Sequence, residues 1–149
     1  MTKLYYRAMA AQNGKPKIGK SARLLGVRLN VDITIEYLPL YHLDEQGYLL
    51  SEIIERQLQP VLVPVAIRDM KGMSVSLSIE ALPAFRKPPK FDGMGKDSLW
   101  QIDDSKITGD LEAIQDSQTH VSIRPRATML LERYESALAQ TQDHWEKID

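Results

Sequence analysis

A chain of 149 residues that is 43% hydrophobic and 26% charged can bury one hydrophobic core, which excludes wholesale disorder and favours a single domain over residues 1–149. It has no cysteine and no apolar run of the roughly 18 residues that cross a membrane, which excludes disulfides, thiol catalysis and a spanning helix. The net charge of −1 conceals a basic region, since residues 1–28 contain seven Lys or Arg and no acid, and this region could attract a phosphorylated ligand or an acidic protein.

The first predicted strand runs from Leu4 to Met9, and the alternation of an extended chain places Arg7 on the face opposite Leu4 and Tyr6. A buried arginine needs a carboxylate or an anionic ligand, because an isolated charge away from water is costly. Residues 13–16, Asn-Gly-Lys-Pro, predict a turn after this strand. Residues 21–27 form either a helical turn or a loop.

The middle of the chain predicts strands, a turn and one helix. These elements are a strand at 31–37 closed by Pro39, a turn at 44–47, a helix at 48–58 and a strand at 61–67. The helix is predicted from apolar residues at helical spacing. The strand at 61–67 is apolar on both faces, which predicts burial, although Pro64 favours an edge or a bulge.

The stretch from Gly72 to Ile79 shows the clearest alternation, with Ser74, Ser76 and Ser78 between apolar residues. An extended backbone would turn the apolar row inward and the hydroxyl row outward. These hydroxyls could bond a ribose, a phosphate or an amide, and Gly72 would let a ligand approach the backbone. The alternative is an edge strand with a solvated face.

The second half of the chain begins with a proline-rich and glycine-rich segment at 80–97, which predicts a long surface loop of the kind used in binding. The elements predicted after it are a strand at 98–102, a helical turn at 111–115, a strand at 119–125 and a helix capped by Thr128 that continues to Ile148. On the strand at 119–125, Val121 and Ile123 point to one side, whereas His120 and Ser122 point to the other.

Three of these strands carry polar groups opposite their apolar rows. The groups are Arg7 on the first strand, Ser74 and Ser76 on the middle strand, and His120 and Ser122 on the late strand. If the strands are neighbours, one cleft holds a cation, several hydroxyls and an imidazole, which suits phosphates and ribose hydroxyls. Taken alone, a histidine beside apolar residues such as His120 is more often a hydrogen-bonded structural residue. No histidines or carboxylates stand at metal-ligand spacing, so we expect no metal site, and a nuclease has little support.

Four short motifs occur in the order seen in type VI secretion toxins with an ADP-ribosyltransferase-like fold, which the chain therefore resembles. They are LYYRA at 4–8, GMSV at 72–75, THVSIRP at 119–125 and WEK at 145–147. Residues 25–28 and 86–97 resemble segments of small bacterial proteins. The resemblance implies an α+β fold in which two small, mostly antiparallel sheets form a cleft, with flanking helices and a C-terminal helix. It implies that NAD binds in this cleft as the substrate.

The resemblance also assigns roles to site residues. It implies that Ser74 and His120 are catalytic and that NAD contacts Arg7 and Ser74. From their place on the same polar faces, we expect Ser76 and Ser122 to contact NAD as well. Two features depart from the family pattern. ADP-ribosyltransferases of the arginine-serine-glutamate type use a late glutamate, and residues 119–124 contain none, while Glu112 lies far upstream. Residues 34–70 have no recognised counterpart.

These observations lead to the hypothesis of a bacterial toxin that acts on NAD, as an ADP-ribosyltransferase of a macromolecule or as an NAD glycohydrolase. We expect it in the cytoplasm, including that of a target cell, without a signal peptide and with an immunity protein as partner. We expect no membrane partner and do not expect nucleic acid. The alternative is a catalytically inactive module on the same fold that docks a partner protein or nucleic acid through its basic N-terminal region.

Overall fold

The computed structural model describes residues 3–17, 25–56 and 58–149. This part of the chain is an α+β structure of short strands, one α-helix and several single 3-10 turns. The strands are β1 (Leu4–Met9), β2 (Ala11–Gln12), β3 (Lys15–Pro16), β4 (Ile35–Pro39), β5 (Leu62–Ala66), β6 (Met73–Ser76), β7 (Ser98–Asp103), β8 (Leu111–Gln115), β9 (His120–Pro125), β10 (Met129–Leu130) and β11 (Glu146–Lys147). The α-helix is α1 (Leu131–Gln140), and the 3-10 turns are Leu40–His42, Ala84–Arg86, Pro89–Phe91, Asp104–Lys106 and Thr141–His144.

The main sheet has six strands in the order β11-β7-β1-β6-β9-β8, and every neighbouring pair is antiparallel. β1 pairs with β7 at six positions, from Leu4 opposite Asp103 to Met9 opposite Ser98. It pairs with β6 at one position, Tyr6 opposite Ser76. β6 is therefore a central strand, so the edge-strand alternative is wrong. Before and after this one pair, β1 and β6 are not hydrogen-bonded to each other.

The core lies on one face of this sheet, against α1. Opposite residues of antiparallel strands share a face, so Trp100 and Ile102 of β7 lie beside Arg7 and Tyr5 of β1. Trp100 is fully buried, and its indole N–H donates to the carbonyl of Met9 at 2.8 Å. Burial of each large side chain in this cluster contributes about 2 kcal/mol.

Tyr134 attaches α1 to the main sheet. It is fully buried, its hydroxyl donates to the carbonyl of Ile123 at 2.7 Å, and it accepts from the backbone N–H of Met73 at 3.2 Å. One helix residue thus joins β6 and β9. Leu138, one turn further along α1, is also fully buried. The apolar stripe predicted for this helix is confirmed at these two residues.

The second sheet has three strands in the order β10-β5-β4. β5 lies in the middle although it contains Pro64, because β10 pairs only with Val65 and Ala66 and never reaches the proline. The missing N–H of Pro64 therefore interrupts no hydrogen bond of the ladder. A third, two-stranded unit joins β2 and β3 through the predicted turn, in which Asn13 and Gly14 have φ of 55° and 77°.

Two predicted helical segments are wrong. Residues 48–56 and 58 contain no helix, because Ile54 and Leu58 stay 85% and 77% exposed and a short helix draws its stability from packing an apolar face. The segment at 111–115 is strand β8, which pairs with β9 along its whole length. Pairing with a neighbouring strand overrides local preference there.

Other predicted boundaries shift. The strand predicted at 31–37 is β4, which begins only at Ile35 and includes Pro39. Thr128 does not cap the helix, since its hydroxyl accepts from the N–H of Arg68 at 3.0 Å, and α1 ends at Gln140 rather than near Ile148. The turn at 44–47, the surface loop at 80–97 and the strands near 98–102 and 119–125 are confirmed. Most of the 21–27 prediction lies outside the described residues. Within the described ranges, no helix is long and apolar enough to cross a membrane.

Candidate active site

A pocket of about 310 Å³ opens where β1 meets β6. Its walls come from these two strands, from the start of β9, and from loop residues 26–32 and 81–86. The pocket brings together Arg7, Ser74, Ser76 and His120. They line one pocket although Tyr6, and not Arg7, lies opposite Ser76. Arg7 therefore belongs to the core face of the sheet, contrary to the prediction from strand alternation, and lines the pocket where β1 and β6 diverge.

A larger cavity, of about 770 Å³, lies beside α1 and shares no lining residue with this pocket. Arg133 donates to Asp110 there at 2.8 Å and Tyr48 also bonds to Asp110, although the buried Nε of Arg133 has no partner among the described residues. The smaller pocket contains hydroxyls, a guanidinium and an imidazole with incomplete sets of partners. We place the candidate active site in the smaller pocket because Arg7, Ser74, Ser76 and His120 line it, whereas none of them lines the larger cavity.

Arg7 lies at the back of the pocket, between the diverging ends of β1 and β6. Its Nη1 donates to the carbonyl of Ser74 at 2.8 Å and its Nη2 to the carbonyl of Leu25 at 3.3 Å. Its Nε is fully buried and has no hydrogen-bond partner among the described residues. The partners of Arg7 are thus carbonyls, where we expected a carboxylate or an anion. Because this Nε has no access to solvent, a ligand in the pocket meets the positive charge of Arg7 rather than a free donor.

Burial lowers the pKa of Arg7 to about 10, and the positive charges of Arg86 and Arg28 act in the same direction. The charge of Asp32 opposes this lowering of the pKa. The guanidinium nevertheless keeps its proton at neutral pH. It is therefore a permanent cation that faces the pocket from a partly buried position.

Arg28 and Asp32 form an ion pair at the rim of the pocket. The backbone N–H of Arg28 donates to Asp32 Oδ2 at 2.8 Å, and its Nε lies 3.2 Å from the same atom. Burial alone would raise the pKa of Asp32, but the hydrogen bonds and charge of Arg28 outweigh it and lower that pKa. Among the described lining residues Asp32 is the one carboxylate, against three arginines. The pocket is therefore cationic.

The serines of β6 differ in whether their hydroxyls are already hydrogen-bonded. Strand register places Ser74 opposite Ser122 and Ser76 opposite His120, so all four residues share one face of the sheet. The hydroxyl of Ser76 donates to the carbonyl of Ser78 at 2.6 Å and is occupied by this local turn. Ser74 is half-buried, and its hydroxyl has no hydrogen bond to another described residue. Ser74 is the hydroxyl that remains free to bind a ligand.

Two sequence-based assignments on these strands do not hold. Ser122 is 2% exposed and does not line the pocket, so it cannot contact a ligand there. Gly72 does not make room for a ligand, because a Cβ at this position would lie 2.4 Å from the carbonyl oxygen of Ile123. The glycine instead allows β9 to approach β6 closely.

His120 faces the pocket with one ring nitrogen already engaged. Its Nδ1 lies 2.6 Å from Asp116 Oδ1. An ionised carboxylate can only accept, so Nδ1 carries the proton and the neutral ring keeps a lone pair on Nε2. Nε2 has no hydrogen-bond partner among the described residues, and the ring is 40% exposed. This arrangement is that of an oriented general base.

A family model described as Tse2 ADP-ribosyltransferase toxin matches residues 4–147, nearly the whole chain. The chain belongs to this family. The match confirms the resemblance to ADP-ribosyltransferase-like toxins that the sequence motifs indicated. No curated protein and no solved structure matches the chain.

Membership of the Tse2 family implies NAD⁺ as the substrate, and the pocket residues fit this molecule. Arg7 gives the pocket a positive charge, and Arg28 and Arg86 at the rim add cationic donors for phosphate oxygens. The free hydroxyl of Ser74 suits a ribose hydroxyl. The volume is at the lower end for ligand pockets, which suits a part of the dinucleotide better than all of it.

The late glutamate of arginine-serine-glutamate transferases has no equivalent in this pocket of the Tse2-family chain. Glu112 does not line the pocket. It accepts from Arg68 at 3.0 Å and from Arg124 at 2.8 Å instead. Glu112 is therefore a structural ion-pair residue.

Three residues that shape the site were not predicted from the sequence: Asp116, behind His120, and Arg28 and Arg86, in the pocket wall. Asp116 precedes His120 by four positions, but nothing in the sequence shows that the connecting turn brings the two side chains together. Arg28 and Arg86 stood in segments that the resemblance had matched, yet no pattern placed them beside Arg7. They come together through loops, and a loop has no repeating pattern of apolar residues from which its course could be predicted.

Proposed function

We propose that this protein is an ADP-ribosyltransferase toxin of the Tse2 family that binds NAD in the pocket between β1 and β6 on an ADP-ribosyltransferase-like fold. Within this proposal, it either transfers ADP-ribose to a macromolecule or consumes the dinucleotide. The observation that carries it is the meeting of a buried, incompletely bonded arginine and a carboxylate-held imidazole in one pocket. Family membership supplies the class of chemistry.

Binding falls to the arginines and to Ser74. The guanidinium of Arg7 attracts the phosphates by its charge, and the guanidinium groups of Arg28 and Arg86 donate to phosphate oxygens at the rim. Because Arg7 is already held by the carbonyls of Ser74 and Leu25, little side-chain entropy is lost when a ligand binds. The hydroxyl of Ser74 orients the ribose.

Catalysis falls to His120. NAD supplies an ADP-ribose unit whose bond to nicotinamide is exchanged for a bond to the acceptor or to water. His120 Nε2 takes the proton of that acceptor, and Asp116 stabilises the imidazolium that results. The proton therefore ends on His120 Nε2, and the carboxylate of Asp116 balances the positive charge that it creates.

The biological setting belongs to the same proposal. The protein acts in the cytoplasm of a target cell after delivery by a type VI secretion apparatus, and an immunity protein neutralises it in the producing cell. The toxin family supports this setting. The surplus of arginine over carboxylate in the pocket favours an immunity protein with an acidic contact surface.

The experiment adds NAD to the purified protein and measures the melting temperature together with nicotinamide release. A ligand at 100 times its dissociation constant stabilises by about 2.7 kcal/mol, which is a clear rise in melting temperature. We expect His120→Ala to keep this rise but to lower nicotinamide release about 100-fold or more. Arg7→Gln and the rim variant Arg28→Gln should reduce the rise itself.

The control variant is Lys17→Gln, an exposed basic residue that does not line the pocket, and it should behave as the parent protein does. Arg7→Gln could fail to fold because it changes a buried side chain. Arg28→Gln tests the same positive charge at a side chain that is 65% exposed, where the substitution should not disturb folding. Absence of any rise at millimolar NAD would contradict the proposal. So would nicotinamide release that is unchanged in His120→Ala.

A second candidate function is a catalytically inactive binding module on the same scaffold. The observation that favours it is that Asp32, the one described carboxylate of the pocket wall, is engaged with Arg28. No free carboxylate then stands where transferases of the arginine-serine-glutamate type use one. Binding of NAD or of a partner without nicotinamide release, and indifference to Ser74→Ala and His120→Ala, would establish this alternative.

A further inference from the structure

We propose that residues 84–97, here called the basic loop, form the docking surface for the molecule that accepts ADP-ribose, and that this acceptor is a single-stranded nucleic acid. The inference rests on the proposed function, because it assigns the acceptor of the same pocket. It departs from the expectation drawn from sequence, which did not favour nucleic acid. The exposed side chains of the basic loop are the reason for the change.

The basic loop has a fixed shape. The backbone N–H of Met94 donates to the carbonyl of Ala84 at 2.8 Å, and that of Gly95 donates to the carbonyl of Lys87 at 2.7 Å. A Cβ at Gly93 would lie 2.0 Å from the carbonyl oxygen of Lys87, so the two arms of the loop are in close contact. A surface held in this way loses little entropy when it binds.

The basic loop concentrates cations that have no acidic partner. They are Arg86, Lys87, Lys90 and Lys96. Within the described part of the chain none of the four forms an ion pair, although Lys90 donates to the carbonyl of Ile148 at 3.2 Å. Asp92 and Asp97 are the loop's two acids. The loop therefore has a net positive charge available to an anionic partner.

Apolar side chains project from the same loop. Phe85 is 66% exposed and Met94 is 81% exposed, and the hydrogen bond between Ala84 and Met94 holds the two side chains on neighbouring backbone. The guanidinium of Arg86 lies 5.3 Å from the centre of the Phe85 ring. A flat ring and a flat cation are thus presented together, as on surfaces that stack nucleobases.

The basic loop starts at the wall of the candidate active site. Arg86 lines the pocket together with Leu82 and Pro83. An acceptor bound to the basic loop therefore reaches the pocket that contains His120. In the transfer, a nitrogen or oxygen of the acceptor bonds to the ribose carbon that loses nicotinamide, and its proton passes to His120 Nε2.

A single-stranded nucleic acid matches this surface better than an acidic protein segment does. Each nucleotide carries one negative charge and one flat ring, which corresponds to the alternation of cations with Phe85 and Met94. A segment rich in Asp and Glu repeats the charge but offers no ring beside it. A duplex hides its bases and would leave Phe85 without a stacking partner.

The test measures binding of labelled single-stranded RNA and DNA, about 16 nucleotides long, by fluorescence anisotropy between about 50 and 200 mM salt. If all four cations contact phosphates, the logarithm of the association constant falls with a slope of about −3 against the logarithm of salt. Phe85→Ala should weaken binding about 10-fold at an unchanged slope. The triple variant Lys87→Gln, Lys90→Gln and Lys96→Gln should reduce the slope by about 2.

The matched control is Tyr37→Ala, which removes an aromatic ring that is 67% exposed on β4 and should leave oligonucleotide binding unchanged. Equal effects of Phe85→Ala and Tyr37→Ala would overturn the inference. A polyglutamate peptide that binds more tightly than the oligonucleotides would overturn it in favour of an acidic protein. Tighter binding of a duplex would also overturn it.

The melting temperature with NAD separates this inference from the proposed function. Phe85→Ala should retain the rise caused by NAD, since Phe85 does not line the pocket. A rise with NAD but no oligonucleotide binding would refute the acceptor and leave the proposed function standing. Oligonucleotide binding without any effect of NAD would refute the proposed function. Transfer of label from NAD to the oligonucleotide would support both.

Discussion

Single residues with unused bonding capacity define the pocket. Arg7 leaves its buried Nε without a described partner, the hydroxyl of Ser74 has none, and Nε2 of His120 is open because Asp116 engages Nδ1. A buried polar group without a partner costs free energy. Of the three groups only the Arg7 Nε is buried, whereas Ser74 is half-buried and the His120 ring is 40% exposed. Ser74 and His120 are therefore the groups that a ligand can reach directly.

Asp116→Asn tests the orientation of His120. The amide can still accept from Nδ1 but carries no charge to stabilise the imidazolium, so we expect nicotinamide release to fall about 100-fold. Because Asp116 does not line the pocket, kcat should carry the loss and KM should change little. Steady-state kinetics measure both. A loss confined to KM would contradict the positioning role.

Two further variants accompany this measurement. Asp116→Glu keeps the carboxylate and should recover part of the rate. Asp149→Asn removes an exposed carboxylate at the end of the chain and should have no effect. A purely structural role for Asp116 would show as a lower melting temperature with kinetics that follow the folded fraction.

At the scale of elements, the site depends on how β6 lies between its neighbours. It pairs with β9 at four positions and with β1 at one. The close side is secured by Gly72, whose missing Cβ admits the backbone of Ile123. The open side leaves the space in which Arg7 bonds to the carbonyl of Ser74. Close packing on one flank and divergence on the other create the pocket.

Gly72→Ala should destabilise the protein by about 2 to 3 kcal/mol. The added methyl would lie 2.4 Å from the carbonyl oxygen of Ile123, and a backbone atom of a central strand cannot move away cheaply. Urea unfolding measures the effect. Gly14→Ala is the matched control: its Cβ would meet nothing within 4 Å, so its positive φ alone should cost about 1 kcal/mol. Equal costs for the two variants would refute this account.

At the scale of the whole molecule, Glu112 links the two sheets. It lies on β8 and accepts from Arg124 of β9 and from Arg68, which follows β5. Arg124 in turn donates to the carbonyl of Asp69 at 2.8 Å. These bonds join the three-stranded sheet to the edge of the six-stranded sheet. The relative position of the sheets therefore depends on a carboxylate.

Glu112→Gln should lower the free energy of unfolding by about 2 kcal/mol at neutral pH. Burial acts to raise the pKa of Glu112, but bonds to Arg124 and Arg68 outweigh it and lower that pKa below the ordinary 4.5. The folded state then binds fewer protons than the unfolded state. The difference between parent and variant should be full above pH 4.5 and disappear as the pH falls further.

Urea unfolding across this pH range checks the prediction. The control is Glu52→Gln, which removes an exposed carboxylate that forms no ion pair with a described residue. Its effect on the free energy of unfolding should be small at every pH. A constant difference between Glu112→Gln and the parent protein down to low pH would show that the charge of Glu112 does not stabilise the fold.

Sequence patterns predicted the strands of the site better than its loops. The alternation at 72–79 and 119–125 assigned Ser74 and His120 to one face, as the structure confirms, because side-chain direction in a strand depends only on position along it. Arg7 was expected on that face too, but Tyr6 lies opposite Ser76, so Arg7 belongs to the other, core face of the sheet. The helix predicted at 48–58 failed for the opposite reason. Helical spacing yields a helix only when a core covers its apolar face, and Ile54 and Leu58 have none.

By itself the sequence determined the alternating strands, the toxin family and three of the pocket's polar groups. Only the tertiary structure decided that β1 and β6 pair once, that Ser122 is buried away from the pocket, and that Asp116 holds His120. The physical reason is that some of these properties depend on neighbouring residues in the sequence and others on residues far away in it. The direction of a side chain is a local property of the backbone, whereas its partners come from distant segments brought together by burial of the common core.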